Sequence, residues 1–333
     1  MKPKELAIVG FGNQAKAWAL NLADSGFNIQ IFSRSITEEQ QNETKPLKIE
    51  QLRIEKLKEY KSIALLIPDD QHFSFLKKFA MELQDKTRII YAHGYSCTAF
   101  PIIEQFPNLD HLLLAPKSIA TELRKQYLEQ GRLTAAVAIG SNPEREKENK
   151  EFLEELARAL GINWGPHWST FKEECYADLF SEQTSLCHLI PMITEKSFNF
   201  LVKKGITPEV AFAETFLELK LIVDTMIDIG PQKLFEKISP NALIGAELTK
   251  QKWEEKIPWQ ELFENCWSNI KSKNFFTEIN KSDLGQIRQN TTQFWEKNIL
   301  QIQYNKMKHD EKNNDDWNLK KKKTTSSSNA DLL

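Results

Sequence analysis

Short apolar runs and amphipathic stretches alternate along the first half of the chain. ELAIVG, QAKAWALNLADSG, NIQIFS, SIALLIP, RIIYAHG, HLLLAP and LTAAVAIG succeed one another between Glu5 and about Trp168. Short β-rich runs joined by helical connectors predict an α/β unit, a doubly wound parallel sheet with helices on both faces. After Phe171 the rhythm changes. In ECYADLFSEQTSLCHLIPMITEKSFNFLVKKG and TPEVAFAETFLELKLIVDTMIDIG the apolar residues recur at helical spacing, with glycine or proline at the breaks, so an all-helical half follows. The expected division is an N-terminal domain over 1–169, a helical domain over 170–308 and a disordered polar tail over 309–333, where HDEKNNDDWNLKKKKTTSSSNADLL offers almost nothing to bury.

Composition narrows the partners. The 333 residues suffice for two domains, and a net charge of −2 provides no general field for nucleic acid or anionic lipid. The Lys320–Lys323 run is read as a solvated terminus rather than a binding patch. Cys97, Cys175, Cys187 and Cys266 lie far apart without a CxxC pair, which fits a reducing cytoplasm. No stretch approaches the roughly 18 apolar residues of a membrane span, and the N-terminus enters a strand-like run without a secretory segment.

The first strand runs straight into Gly10-Phe11-Gly12-Asn13-Gln14-Ala15 and then a helix. Small residues are needed there: two glycines let the turn close and the backbone approach a pyrophosphate, and the helix N-terminus favours the anion. A Rossmann-like nicotinamide site is therefore expected at the start of the α/β unit. About 20 residues further on, where an acid would bind the ribose 2′-hydroxyl of NADH, the second strand ends Phe32-Ser33-Arg34-Ser35-Ile36-Thr37. A guanidinium flanked by hydroxyls suits a 2′-phosphate, so NADPH is favoured over NADH, with Glu38 and Glu39 working against it.

In the helical half, Asp178 and Glu182 stand four apart, as do Glu214 and Glu218. On a helix each pair shares a face, where like charges repel unless a cation lies between them. Apolar neighbours, Leu179, Phe180 and Leu186 for one pair and Phe212, Phe216, Leu217 and Leu219 for the other, make unpaired burial costly. Spacing alone leaves two readings, acidic solvent faces or oxygen ligands for a hard cation such as Mg²⁺. His93, after a strand end, is likewise open between a structural and a catalytic role.

Several segments together resemble ketol-acid reductoisomerase of the shorter class, in unbroken order from about residue 5 to 250: GFGNQAKAWALNLADSG, LLIPDD, AHGY, LAPK, FKEECYADLFSEQTSLC and ETFLELKLIVD. The resemblance implies that Asp178, Glu182, Glu214 and Glu218 bind two Mg²⁺ ions, that His93 and Lys117 are catalytic, and that Ser239 contacts the substrate. It assigns Gly10, Phe11, Gly12, Asn13, Gln14, Arg34, Ser35, Thr37, Asp69, His72 and Ala120 to the cofactor site. It further implies a knotted helical domain and a homodimer or larger assembly. The implied reaction is a Mg²⁺-promoted alkyl shift in a 2-hydroxy-3-keto acid such as 2-acetolactate or 2-aceto-2-hydroxybutyrate, followed by NADPH reduction to a 2,3-dihydroxy acid on the way to valine and isoleucine.

The chain departs from that pattern in four places. The glycines of the family's APKGPG are replaced in Ala115-Pro116-Lys117-Ser118-Ile119-Ala120; NTAEYG becomes Asn241-Ala242-Leu243-Ile244-Gly245 after Pro240; two phosphate-binding serines become Thr37 and Glu39; and a glutamine becomes His72. Two alternatives follow, a metal-assisted reductase of another 2-keto or hydroxy-keto acid and a non-catalytic cofactor-binding homologue. Four retained carboxylates on apolar helices argue against the second.

Overall fold

The computed structural model describes residues 4–43, 45, 47–140, 143–272 and 274–313. The expected tail from residue 314 onward lies outside the described residues. Two compact units, Met1–Leu179 and Phe180–Leu333, divide the chain.

The first unit is built on eight strands: β1 (Glu5–Val9), β2 (Asn28–Ser33), β3 (Ile49–Gln51), β4 (Ser62–Leu65), β5 (Arg88–Tyr91), β6 (Asp110–Pro116), β7 (Thr134–Ile139) and β8 (Trp164–Trp168). They lie in the order β3-β2-β1-β4-β5-β6-β7-β8. Successive side chains of a strand point to opposite faces, and both faces here are covered. Leu6 and Ile8 of β1 enter one core with Trp18, Leu22, Leu123 and Leu156, while Ala7 and Val9 enter the other with Phe75, Leu76 and Ile102. The Asn13–Asp24 helix buries Ala15, Trp18, Ala19 and Leu22, a stripe at helical spacing. Gly26, at φ +86°, ends it, with Phe27 N–H donating to Leu22 O.

Two details correct the sequence reading. The sheet is not wholly parallel, because β7 pairs antiparallel with β6 and β8 runs parallel to β7. Alternating apolar residues mark a strand but carry no direction. Edge strands β3 and β8 were not anticipated, since three residues of β3 and the WGPHW of β8 lack an apolar run.

The second unit is helical. Helices at Ile190–Lys203, Glu218–Ile229, Pro240–Glu254, Trp259–Ile270, Leu284–Glu296 and Ile299–Asn313 are its longest. The last runs five residues into the stretch expected to be disordered, as befits a segment without glycine or proline and rich in helix-favouring Lys and Gln. Two turns are π-helical, Glu182–Leu189 and Ala213–Leu217. Among the described residues no helix is long and apolar enough to cross a membrane.

Candidate active site

β5 and β6 end side by side, and each leads into a predicted site residue. β5 leads to His93 and β6 to Lys117, at the carboxyl edge of the parallel strands where open α/β sheets bind ligands. The Phe171–Ser181 helix brings Glu174 and Asp178 to the same place, one helical turn apart. Lys117 Nζ donates to Glu174 Oε1 at 2.5 Å and to Asp178 Oδ1 at 2.8 Å. His93 Nε2 lies 3.2 Å from Asp178 Oδ2 and 3.9 Å from Glu174 Oε2, and its Nδ1 lies 4.0 Å from Asp69 Oδ2. Among the described residues, His93, Glu174 and Asp178 are the one group of three metal-capable side chains within reach of a single ion.

Gly94 makes this arrangement possible. Its N–H donates to Glu174 Oε2 at 2.6 Å, and a Cβ there would fall 2.1 Å from Phe171 O. The loop and the helix thus meet backbone to backbone, fixing a Glu174 side chain that is 1% exposed. Tyr95 stacks on the His93 ring at 6.1 Å.

The electrostatics follow from three carboxylates facing an ammonium and an imidazole in a partly buried setting. Burial would raise the Asp178 carboxyl, but the His93 ring nitrogen 3.2 Å away and the Lys117 hydrogen bond bring it down to about 2. Burial disfavours charge on His93 and Lys117, yet their carboxylate partners outweigh it and raise both. Asp69 is pushed up to about 6, chiefly by burial, with His93 opposing. Lys117 thus stays an ammonium across the neutral range, and two of its three donors are taken.

The glycine-rich turn behaves as its sequence requires. Gly10 sits at φ +119°, and a Cβ there would meet Leu66 O at 2.4 Å, whereas a Cβ on Gly12 would meet nothing within 4 Å. Phe11, Gly12, Arg34 and Ser35 line one cavity beside the ends of β1 and β2. Asn13 opens the first helix, and Gln14 Nε2 reaches Ser118 O at 3.4 Å. Ala120 is buried at the start of the Ala120–Leu128 helix.

Three expected cofactor residues have other surroundings. His72 is a correction: it is 2% exposed, with Nδ1 on Ser96 Oγ at 2.9 Å and Nε2 on Ile67 O at 3.0 Å, so both ring nitrogens serve the fold. Thr37 caps the Glu38–Glu43 helix, its Oγ1 accepting from Gln40 N at 3.2 Å while Gln40 Oε1 accepts from Thr37 N at 2.9 Å. Asp69 faces His93 rather than the cavity of Arg34.

Burial holds His72 neutral, lowering its pKa to about 4 from an ordinary value of about 6.5. A depressed folded pKa means stability is complete above the unfolded value and falls as pH drops from about 6.5 toward 4, by up to about 3 kcal/mol. His72→Gln is expected to flatten that slope in denaturation measured across this range. An unchanged slope would refute the assignment.

Glu182, Glu214, Glu218 and Ser239 belong to the second unit. Glu182 opens one π-helical segment, Glu214 lies in the other and Glu218 directly follows it, all three exposed. Such segments commonly mark functional positions. Ser239 caps the Pro240–Glu254 helix, its hydroxyl accepting from Ala242 N at 3.3 Å. Lys117, from another part of the sequence, answers the charge of Asp178. Glu174 was the residue missed.

Both halves of the chain match one family of known proteins. Residues 1–165 match the family described as "Acetohydroxy acid isomeroreductase, NADPH-binding domain", and residues 171–322 match "Ketol-acid reductoisomerase, C-terminal domain". The ketol-acid reductoisomerase (NAD(P)(+)) of Metallosphaera sedula is 32% identical over 251 residues, 74% of this chain and 73% of that protein. The NADP(+) enzyme of Methanocaldococcus jannaschii is 33% identical over 253 residues, 74% of each chain. A solved NADH-preferring ketol-acid reductoisomerase from an uncultured archaeon superposes with a TM-score of 0.79 at 25% identity, covering 92% of this chain and 94% of that one.

Proposed function

The chain belongs to the ketol-acid reductoisomerase family, and from that premise we propose that it converts 2-acetolactate, or 2-aceto-2-hydroxybutyrate, to the corresponding 2,3-dihydroxy acid with NADPH in valine and isoleucine biosynthesis. One observation carries the reading: Lys117 bridges Glu174 and Asp178 beside His93, at the carboxyl ends of two adjacent parallel strands.

The donors suit a hard cation, since Asp178, Glu182, Glu214 and Glu218 offer carboxylate oxygens only, and Asp178 already holds an ammonium. These four residues would hold two Mg²⁺ ions, which would polarise the substrate's carbonyl and hydroxyl oxygens, while the nicotinamide would supply the hydride. Lys117, pinned through two of its hydrogens, directs the third at a substrate oxygen and steadies negative charge there. Glu174 orients Lys117 and neutralises it when substrate is absent. His93, between Asp69 and Asp178, is placed to hold or pass a proton at the same edge. Arg34 and Ser35 favour NADPH, and four free cysteines fit the cytoplasm.

The helical unit leaves many large apolar side chains exposed, among them Leu186 at 55%, Leu221 at 63%, Leu248 at 55% and Trp253 at 52%. So much bare apolar surface calls for a partner, and a homodimer or larger homo-oligomer fits it. A second reading, reduction of a different keto acid, is favoured by Ser118 and Ile119 standing where the family has a glycine and a proline, Ile119 being 74% exposed. Removing divalent metal with a chelator is expected to abolish 2-acetolactate-dependent NADPH oxidation, with Mg²⁺ restoring it, in a species of at least dimeric mass by sedimentation. Activity indifferent to the chelator, or a monomer, would refute the corresponding part.

A further inference from the structure

The cavity beside β1 and β2, of about 600 Å³, has a second wall that the glycine motif does not supply. Gln71, Ser74, Phe75, Lys78 and Phe79 line it, three or four residues apart, so they form one face of the segment running through the His72–Phe79 helix. That face looks onto Arg34 and Ser35 at the end of β2, the place where a Rossmann-type unit distinguishes a ribose 2′-hydroxyl from a 2′-phosphate. Arg34 Nη2 donates to Gln71 Oε1 at 2.9 Å, which ties the guanidinium to this second wall. Lys78 extends along the Phe79 ring, its Nζ 4.9 Å from the centroid.

The charges lining the cavity have one sign. Arg34 and Lys78 enter it from different elements, Ser35 and Ser74 add hydroxyls, and no lining residue is a carboxylate. Glu38 lines a separate shallow pocket with Thr37, and Glu39 lines neither. The acids that in the sequence weigh against a phosphate therefore stand outside the cavity lining.

We propose that Lys78 is a specificity-determining residue, gripping the 2′-phosphate of NADPH from the wall opposite Arg34. The inference rests on the reading that NADPH is the preferred cofactor. With one Arg34 hydrogen committed to Gln71, Lys78 adds donors and a second positive charge from the other wall to meet the phosphate oxygens. NADH brings no 2′-phosphate to this wall, so the arrangement strengthens one cofactor and leaves the other largely unaffected.

The test is direct binding to the full chain without substrate, read from nicotinamide fluorescence. Lys78→Ala is expected to weaken NADPH about tenfold, the order of a lost charged hydrogen bond, and to leave NADH within about twofold; Lys78→Glu should reverse the preference. Lys77→Ala removes the same charge outside the cavity lining and should change neither affinity. Lys78 is exposed, so these variants keep the fold. If wild type prefers NADPH but Lys78→Ala weakens both cofactors equally, or neither, the role of Lys78 is overturned while the cofactor reading stands. A wild type that binds NADH more tightly overturns both.

Discussion

Glu174→Gln is expected to lower kcat by about a hundredfold to a thousandfold, the range associated with losing a positioned electrostatic group, while the protein stays folded. The exchange is nearly isosteric, so the amide oxygen can still accept from Gly94 N–H. What disappears is the negative charge holding Lys117, whose ammonium then depends on Asp178 alone. Because the carboxylates raise Lys117 against the opposing effect of burial, removing one lowers it. The alkaline limb of the pH profile of kcat should therefore move to lower pH. A residue that merely packs the helix would leave that limb in place, and an unshifted limb with near-normal kcat would sink the assignment.

Gly94→Ala tests the scaffold rather than the charge. The new Cβ would lie 2.1 Å from Phe171 O and 2.8 Å from Glu174 Oε2. The first is backbone and cannot rotate away, so the loop must part from the helix, at a cost of about 3 kcal/mol by the measure of overpacked cores. Glu174 then loses its backbone donor, and activity should fall with stability. Gly12→Ala is the matching control, since a Cβ there meets nothing within 4 Å and the fold should be unaffected, although cofactor binding should suffer. Equal melting temperatures for Gly94→Ala and wild type would contradict this account of the site.

Much of this was legible in the sequence because the chemistry sits in contiguous segments. The glycine turn, AHGY, LAPK and the Asp178 segment each bring their residue to a strand end or helix face that local pattern already predicts. Glu174, Asp178 and Glu182 recur at four-residue intervals, three carboxylates rather than two, but the spacing does not say which of the three turns toward the strand ends. Its partner Lys117 lies 57 residues away, a distance no local pattern spans. His72 was misassigned because a histidine beside the glycine-turn cavity and one buried under the strand ends have the same sequence surroundings, and only Ser96 and the Ile67 carbonyl reveal which it is. The direction of β7 was hidden likewise, since side-chain alternation is the same in either direction.

The proposal that this chain couples an alkyl shift to a reduction is tested most directly by the carbon skeleton of its product. With 2-acetolactate labelled with ¹³C in the methyl group on C2, NADPH and Mg²⁺, NMR should show the label on C3 of 2,3-dihydroxy-3-methylbutanoate. Label remaining on C2, in 2,3-dihydroxy-2-methylbutanoate, would mean reduction without migration and would contradict it, as would absence of turnover.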